Sequence, residues 1–392
     1  MKRRNIEISN FNNKKKFFNK KKIIKKIMKN FFNSENAILS SMSIDYKDSF
    51  KNKVLSKYKK IKNINLIGMG GSVLGAKAIY DFLKINKKKF KFIDNISNIS
   101  FEKKHNKNLN IVISKSGNTL ETICNSNILL SNSMKNIFLT ENKESYLINF
   151  ARQLKADLFY HHELIGGRYS VLSEVGMLPA KLMGLKIKNF RRFDQLIKNK
   201  FFINSLIDNV ASLASLYKSK KINSIILNYD ESSSSLFSWH QQLVSESLGK
   251  KNKGILPTVS SMPRDNHSMM QYYLDGPKNN FFTFFFVRDR NSNKINNNTI
   301  LKTHNFLKNK SLNKITYSQL RATQNVFKSK KIPFRTFLVN ERNEETLGEL
   351  FSFFILETIL LGKFLKINPF DQPAVELIKT NTKKILKTKN YF

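Results

Sequence analysis

Between about residues 63 and 160 the chain repeats one unit: a short apolar strand, a small polar turn, then a stretch with helical spacing. Asn65-Leu66-Ile67 is a strand that runs into Gly68-Met69-Gly70-Gly71. A helix face follows through Leu74, Ala78, Ile79, Phe82 and Leu83. Phe90 to Ile93, Asn110 to Ile113, Asn136 to Leu139 and Asp157 to Tyr160 are the next strands at similar intervals. Short strands alternating with helical patterns predict a parallel sheet covered by helices, because parallel neighbours need a crossover between them. From about residue 205 the pattern returns more loosely. Ser224 to Leu227, Phe282 to Val287 and Phe334 to Val339 read as strands, and a long apolar helix runs from about Thr346 to Phe364. The fold class is therefore α/β, with two domains of related build. The expected division is a helical N-terminal extension over 1–58, a first domain over 59–200 and a second over 201–392 with a C-terminal helix.

Composition agrees with that division and narrows the function classes. A chain of 392 residues has room for two or three domains. Its single cysteine, Cys124, excludes a disulfide scaffold or a multi-cysteine zinc site and fits a reducing compartment. The longest apolar run, Leu350 to Leu361, carries Glu357 and is too short to span a bilayer, so it reads as a buried helix. A formal charge of +41 raises nucleic-acid binding. Lysine, asparagine, isoleucine and phenylalanine are abundant together, however, and all four have A/T-rich codons, so a genomic base bias gives the same excess. The lysines also run along the whole chain instead of lining one element, which reads as a basic solvated surface. In the first 33 residues, Ile23, Ile24, Ile27, Met28, Phe31 and Phe32 recur at helical spacing beside the apolar pair Phe17-Phe18. No uninterrupted apolar core for a signal peptide occurs there. The scarcity of acidic residues leaves a transit peptide open, and the preferred reading is an amphipathic helix packed on the body.

Chemistry in open parallel sheets gathers beyond the carboxyl ends of the strands. Two loops fall there: Gly68-Met69-Gly70-Gly71-Ser72 and Ser114-Lys115-Ser116-Gly117-Asn118-Thr119. First-turn amides and hydroxyls converging at a helix start suit a phosphate, with Lys115 adding a charge. The residues leave a second reading open, a tight turn capped by serine or threonine. Neither a P-loop nor the dinucleotide glycine spacing fits these loops. Four further polar segments stand out: Gly166-Gly167-Arg168-Tyr169-Ser170, Gln241 to Lys250 with Glu246, Asp265-Asn266-His267-Ser268, and Phe370 to Lys379 with Gln372. Each taken alone has an ordinary structural explanation.

Together they resemble the glucose-6-phosphate isomerases. GMGGSVLGA at Gly68 to Ala76 and SKSGNTLET at Ser114 to Thr122 are similar to that family's two phosphate loops. GGRYSVLSEVG at Gly166 to Gly176 and FDQPAVELIK at Phe370 to Lys379 resemble its two long signatures. QQLVSESLGK and DNHSMMQYYLDGP match the segments between them, in the same order. The motifs reach from Gly68 to Lys379.

The resemblance implies two SIS-type domains, each a parallel sheet sandwiched by helices, and interconversion of glucose 6-phosphate and fructose 6-phosphate without metal or cofactor. It implies that Glu246 moves a proton between C1 and C2 through a cis-enediol and that Arg168 faces the enediolate oxygens. His267 and Lys379 would open the sugar ring. Gly71, Ser72, Ser114, Lys115, Ser116 and Thr119 would cradle the phosphate, and Gln372 would contact the substrate. It implies a homodimer with His267 acting across the interface, a cytoplasmic protein, and no membrane or nucleic acid as primary partner. Ser116 and Asn118 stand where many members carry threonine, although the hydroxyl at 116 survives. The Ser-Gly-Asn-Thr wording also resembles bifunctional phosphoglucose/phosphomannose isomerases, which leaves mannose 6-phosphate as a side substrate. Two rival readings are another sugar-phosphate isomerase of the SIS class, which has little need for the Phe370 to Lys379 signature, and a sugar-phosphate-sensing or nucleic-acid-binding protein that is not an enzyme.

Overall fold

The computed structural model describes residues 4–11, 18–96 and 108–388. Phe17, one of the apolar residues in the expected N-terminal helix, lies outside them. Ten strands form two sheets: β1 Ile6–Ser9, β2 Asn63–Gly68, β3 Lys89–Ile93, β4 Leu109–Ile113, β5 Lys135–Thr140, β6 Asp157–Tyr160, β7 Asn223–Asn228, β8 Leu256–Ser261, β9 Asn280–Val287 and β10 Phe334–Val339. The first sheet is wholly parallel, in the order β3-β2-β4-β5-β6. Its central strand β4 is buried at every residue, as expected where helices cover both faces. The second sheet runs β1-β10-β9-β7-β8. It is parallel except for β1, which joins β10 antiparallel with Ile6 opposite Val339. Strand β9, NFFTFFFV, is buried throughout.

Two strands differ from the sequence expectation. The N-terminal extension opens with β1, a strand, before its helix Phe18–Phe32. Four residues of IEIS at a sheet edge carry too little pattern to stand out in a lysine-rich lead. Strand β8, LPTVSS, is the opposite edge and is polar with a proline, a composition tolerated only at edges. The helix Phe18–Phe32 packs Ile24 and Phe31 into the core against the helices Lys200–Lys218 and Glu344–Phe364. The latter is the long apolar helix read from the sequence. Its Glu357 meets Arg335 in a buried pair, Nη2 to Oε2 3.0 Å, with Asn209 and Thr283 taking further guanidinium protons. No helix among the described residues is long and apolar enough to cross a membrane.

In each sheet the first strand sends its chain one way and the later strands lie on the other side. The resulting switch points fall between β2 and β4, and between β7 and β9. The helix leaving β2, Gly71–Phe82, and the helix leaving the loop after β7, Ser234–Leu248, pack on one another. They run in opposite directions. Asp81, near the end of the first, accepts a hydrogen bond from Ser235 at the start of the second, whereas Gly70, before the first, lies against Gln242 late in the second. This antiparallel pairing carries Glu246, on the last turn of one helix, to the switch-point loop of the other sheet. At the second switch point Arg342 pairs with Asp230 at 2.7 Å and donates to the Phe82 carbonyl, and Lys84 pairs with Asp289 at 2.9 Å. The flank of the first helix thus meets the second switch point through Lys84 and the Phe82 carbonyl.

Candidate active site

The loops after β2 and β4 sit side by side at the carboxyl edge, because Gly68 and Ile113 are register partners. Gly70 has φ +53°, a left-handed backbone, and a Cβ there would lie 2.8 Å from Gln242 Nε2. Gly71 opens the helix with its α-carbon against the next loop of the site. A Cβ there would lie 2.8 Å from the Arg168 amide nitrogen and closer still to the Gly167 carbonyl. Neither Gly71–Phe82 nor Leu120–Leu129 has a side-chain cap at its start. The Ser114 and Thr119 hydroxyls instead pair with each other at 2.9 Å, and Ser116 Oγ accepts from the Asn118 amide at 3.3 Å. Of the two readings the sequence left open, the capped turn is absent. Neither helix start at the switch point carries a side-chain cap, although the Ser72 and Val73 amides donate to the Met69 and Gly70 carbonyls at 3.1 and 2.9 Å; Ser72 itself is half-buried. Lys115 is drawn aside: Nζ donates to the Glu163 carbonyl at 2.7 Å and lies 3.3 Å from Glu141.

Arg168 sits in the short 3-10 turn Gly167–Leu172 and is 3% exposed. Its Nη1 donates to Glu246 Oε2 at 3.1 Å and to Gln372 Oε1 at 3.0 Å. Its Nη2 donates to the carbonyls of Pro369 at 2.8 Å and Asp371 at 2.9 Å. Arg168 Nε is buried without a partner. The other oxygen of Glu246 accepts from Gln242 Nε2 at 2.8 Å. Tyr169, whose hydroxyl pKa is pushed up by burial, donates to the same Pro369 carbonyl at 2.9 Å and pairs with Ser247 at 2.7 Å. One guanidinium therefore ties together three distant parts of the chain: a turn of the first sheet's domain, the last turn of a helix in the second, and the segment before the C-terminal helix. A cavity of about 420 Å³ opens beside Glu246, Lys250, Asn368 and Gln372.

The structure brings Arg168, Glu246 and Gln372 together and places Gly71 against the Arg168 turn, with Ser72 next along the same helix start. Ser114, Ser116 and Thr119 stand on the adjoining loop. His267 and Lys379 are elsewhere. His267 ends the exposed turn Arg264–His267, and Lys379 lies on the exposed helix Val375–Lys387, 2.6 Å from Glu376. No hydrogen bond or ion pair among the described residues links either one to the Arg168 cluster. Gln242 was not among the residues expected at the site. The signal was its place four residues before Glu246, one helical turn away. No group of three or more His, Cys, Asp or Glu side chains suited to a metal ion occurs among the described residues.

The family model for phosphoglucose isomerase matches residues 20–261. The chain belongs to the phosphoglucose isomerase family. It is 30% identical to a glucose-6-phosphate isomerase of Methanocaldococcus jannaschii over 367 residues, covering 85% of this chain and 87% of that one. A glucose-6-phosphate isomerase of Campylobacter jejuni is 31% identical over 367 residues, with 84% and 86% covered. Among solved structures, a hypothetical protein from Thermus thermophilus superposes with a TM-score of 0.82 at 22% identity, covering 98% of this chain and all of that one. A glucose-6-phosphate isomerase from Chlamydia trachomatis superposes with a TM-score of 0.71 at 18% identity, covering 94% and 84%. These two likenesses are of fold, and they agree with the two SIS-type domains.

Proposed function

We propose that the Arg168–Glu246–Gln372 cluster is the centre at which this enzyme interconverts glucose 6-phosphate and fructose 6-phosphate. The overall reaction is an aldose–ketose isomerisation belonging to glycolysis and gluconeogenesis. The observation that carries the site assignment is the single buried guanidinium that holds the Glu246 carboxylate beside the Gly70-Gly71-Ser72 loop. Phosphate docks on the uncapped helix starts and on the hydroxyls of Ser72, Ser114, Ser116 and Thr119, with Lys115 contributing long-range charge. That anchor fixes the distance from the phosphate to the reacting carbons, and such orientation supplies much of the rate. In the open-chain aldose, Glu246 takes the proton from C2 as the C1 carbonyl oxygen gains charge; the C2 hydroxyl proton passes to that oxygen, and Glu246 returns its proton to C1 as the C2 oxygen becomes the carbonyl. Arg168 stabilises the enediolate between the two steps, its unpaired Nε–H being free to donate. Gln372, fixed by Arg168, orients the sugar.

Ring opening falls to His267 and Lys379. Their exposure and separation from the cluster support a homodimer in which the second copy's His267 completes the site. The Lys379 helix also exposes Leu377, Ile378 and Leu386, an apolar face suited to burial in an assembly. Residues 59–200 and 201–392 act as the two domains, with 1–58 as an N-terminal extension that reaches both, through β1 on β10 and through Tyr46 and Asp48 on Glu174 and Arg191. The protein is cytoplasmic, with a sugar phosphate as its partner and neither membrane nor nucleic acid as a primary one.

The test is isomerase activity on fructose 6-phosphate for the wild type and Glu246→Gln. The amide keeps the shape and removes the base. A kcat at least about 1,000-fold lower with KM within a few-fold is the expected result. A Glu246→Gln protein with near wild-type kcat would remove Glu246 from the mechanism.

A further inference from the structure

The turn that carries Arg168 is held at both ends by side chains outside the site. Its entry is Ile165, wholly buried, whose carbonyl faces His161 Nε2 at 2.9 Å. Its exit is Leu172, whose carbonyl accepts from Arg191 Nε at 3.0 Å. Arg191 is 2% exposed and forks onto Asp48. His161 is equally enclosed. Its amide is tied to the Thr140 carbonyl at 2.8 Å, and its Nδ1 faces Glu174 Oε2 at 3.3 Å. Both ring nitrogens thus face acceptors. The other oxygen of Glu174 accepts from the Tyr46 hydroxyl at 2.7 Å. The ring of Tyr46 in turn lies under the Arg191 guanidinium. Burial pushes the Glu174 carboxyl up, but the hydrogen bonds from His161 and Tyr46 outweigh it and hold the group below its usual range.

We infer that His161, oriented by Glu174 and Tyr46, is a positioning residue for Arg168. It fixes the Ile165 carbonyl, and with it the entry to Gly166-Gly167-Arg168, while Arg191 fixes the exit. Without the His161 contact the entry loses this tie and the turn can shift. Arg168 would then leave the enediolate oxygens, although the phosphate loops, on other strands, would stay in place. The inference rests on the reading of Arg168 as the enediolate's partner.

The experiment measures kcat and KM for fructose 6-phosphate in His161→Ala, His161→Gln, Tyr46→Phe and Arg168→Ala. His161→Ala should lower kcat about 30-fold with KM changed less than about 3-fold, as when a group that acts in the transition state is displaced. His161→Gln keeps an N–H for the Ile165 carbonyl and should recover kcat to within about 5-fold of wild type. Tyr46→Phe makes no large cavity and should lower kcat about 3-fold or more at constant KM. A wild-type kcat in His161→Ala, or alanine and glutamine variants equally impaired with kcat and KM moving together, overturns the inference. If His161→Ala does not fold, an unchanged kcat in Tyr46→Phe, or no activity in a folded His161→Gln, overturns it instead. Arg168→Ala separates the two failures. A wild-type kcat there overturns the site reading and the clamp with it. Loss there beside a wild-type kcat in His161→Ala overturns the clamp alone.

Discussion

Gly71 is the point at which two functional loops touch through backbone alone. Helix start and arginine turn approach so closely that a methyl group on Gly71 would meet the Gly167 carbonyl and the Arg168 amide, neither of which can rotate away as a side chain could. The Gly71→Ala chain must therefore separate the loops by a fraction of a turn's width. A misplacement of about 1 Å in a catalytic constellation costs on the order of 100-fold in rate. The expected outcome is a folded Gly71→Ala protein with kcat/KM on fructose 6-phosphate down about 100-fold. Activity within about 2-fold of wild type would mean that the loops do not have to touch, and would weaken the case for one shared site. The same residue shows what the sequence could reveal at this scale. Glycine at 71 marks a place where backbone comes close to something, but only the fold says that the neighbour is Arg168 and not a ligand.

The long helix Glu344–Phe364 carries a stability device with a definite pH sign. Glu349 lies half-buried on its first turns, and burial pushes its carboxyl up from an ordinary 4.5 to about 7, with Arg192 opposing and Glu345 adding to the rise. A raised folded-state value means that the native state holds the proton more tightly. The contribution is fully present below the ordinary carboxyl range and is lost as pH rises through about 7. The loss amounts to about 2 kcal/mol for an incompletely buried group. Thermal unfolding of the wild type should show a decline between about pH 5 and 8 that Glu349→Gln lacks, leaving the variant the more stable at about pH 8. Parallel pH curves for the two proteins would exclude this role for Glu349. At the same scale, elements were legible in the sequence where pattern was strong. The buried strands β4 and β9 and the apolar helix could be read because burial on both faces demands mostly apolar residues. Strands β1 and β8 could not, because an edge asks little of its residues. Pairing between distant elements was also hidden. No local pattern indicates that the helices Gly71–Phe82 and Ser234–Leu248 lie antiparallel, and that pairing is what brings Glu246 to Gly70. The residues Arg168, Glu246 and Gln372 were named from family wording, and their convergence became visible only in three dimensions.

For the whole molecule, the decisive question is whether one chain contains a full set of catalytic groups. The proposed proton-transfer groups, Arg168 and Glu246, meet within the chain, whereas His267 stands exposed and Lys379 rides on an exposed helix with apolar residues facing outward. If the second copy supplies His267, each site of a dimer combines Glu246 from one protomer with His267 from the other. Homodimers of His267→Ala and of Glu246→Gln should then both be nearly inactive. Co-refolding them in equal amounts forms hybrids in half of the dimers. Each hybrid has one site with both residues intact and one with neither. Isomerase activity should rise to about a quarter of the wild-type value. Were His267 to serve its own chain, every site in every mixture would carry one lesion and no activity would return. The size of the recovery thus reports directly where the ring-opening group comes from, independently of how tightly the dimer holds.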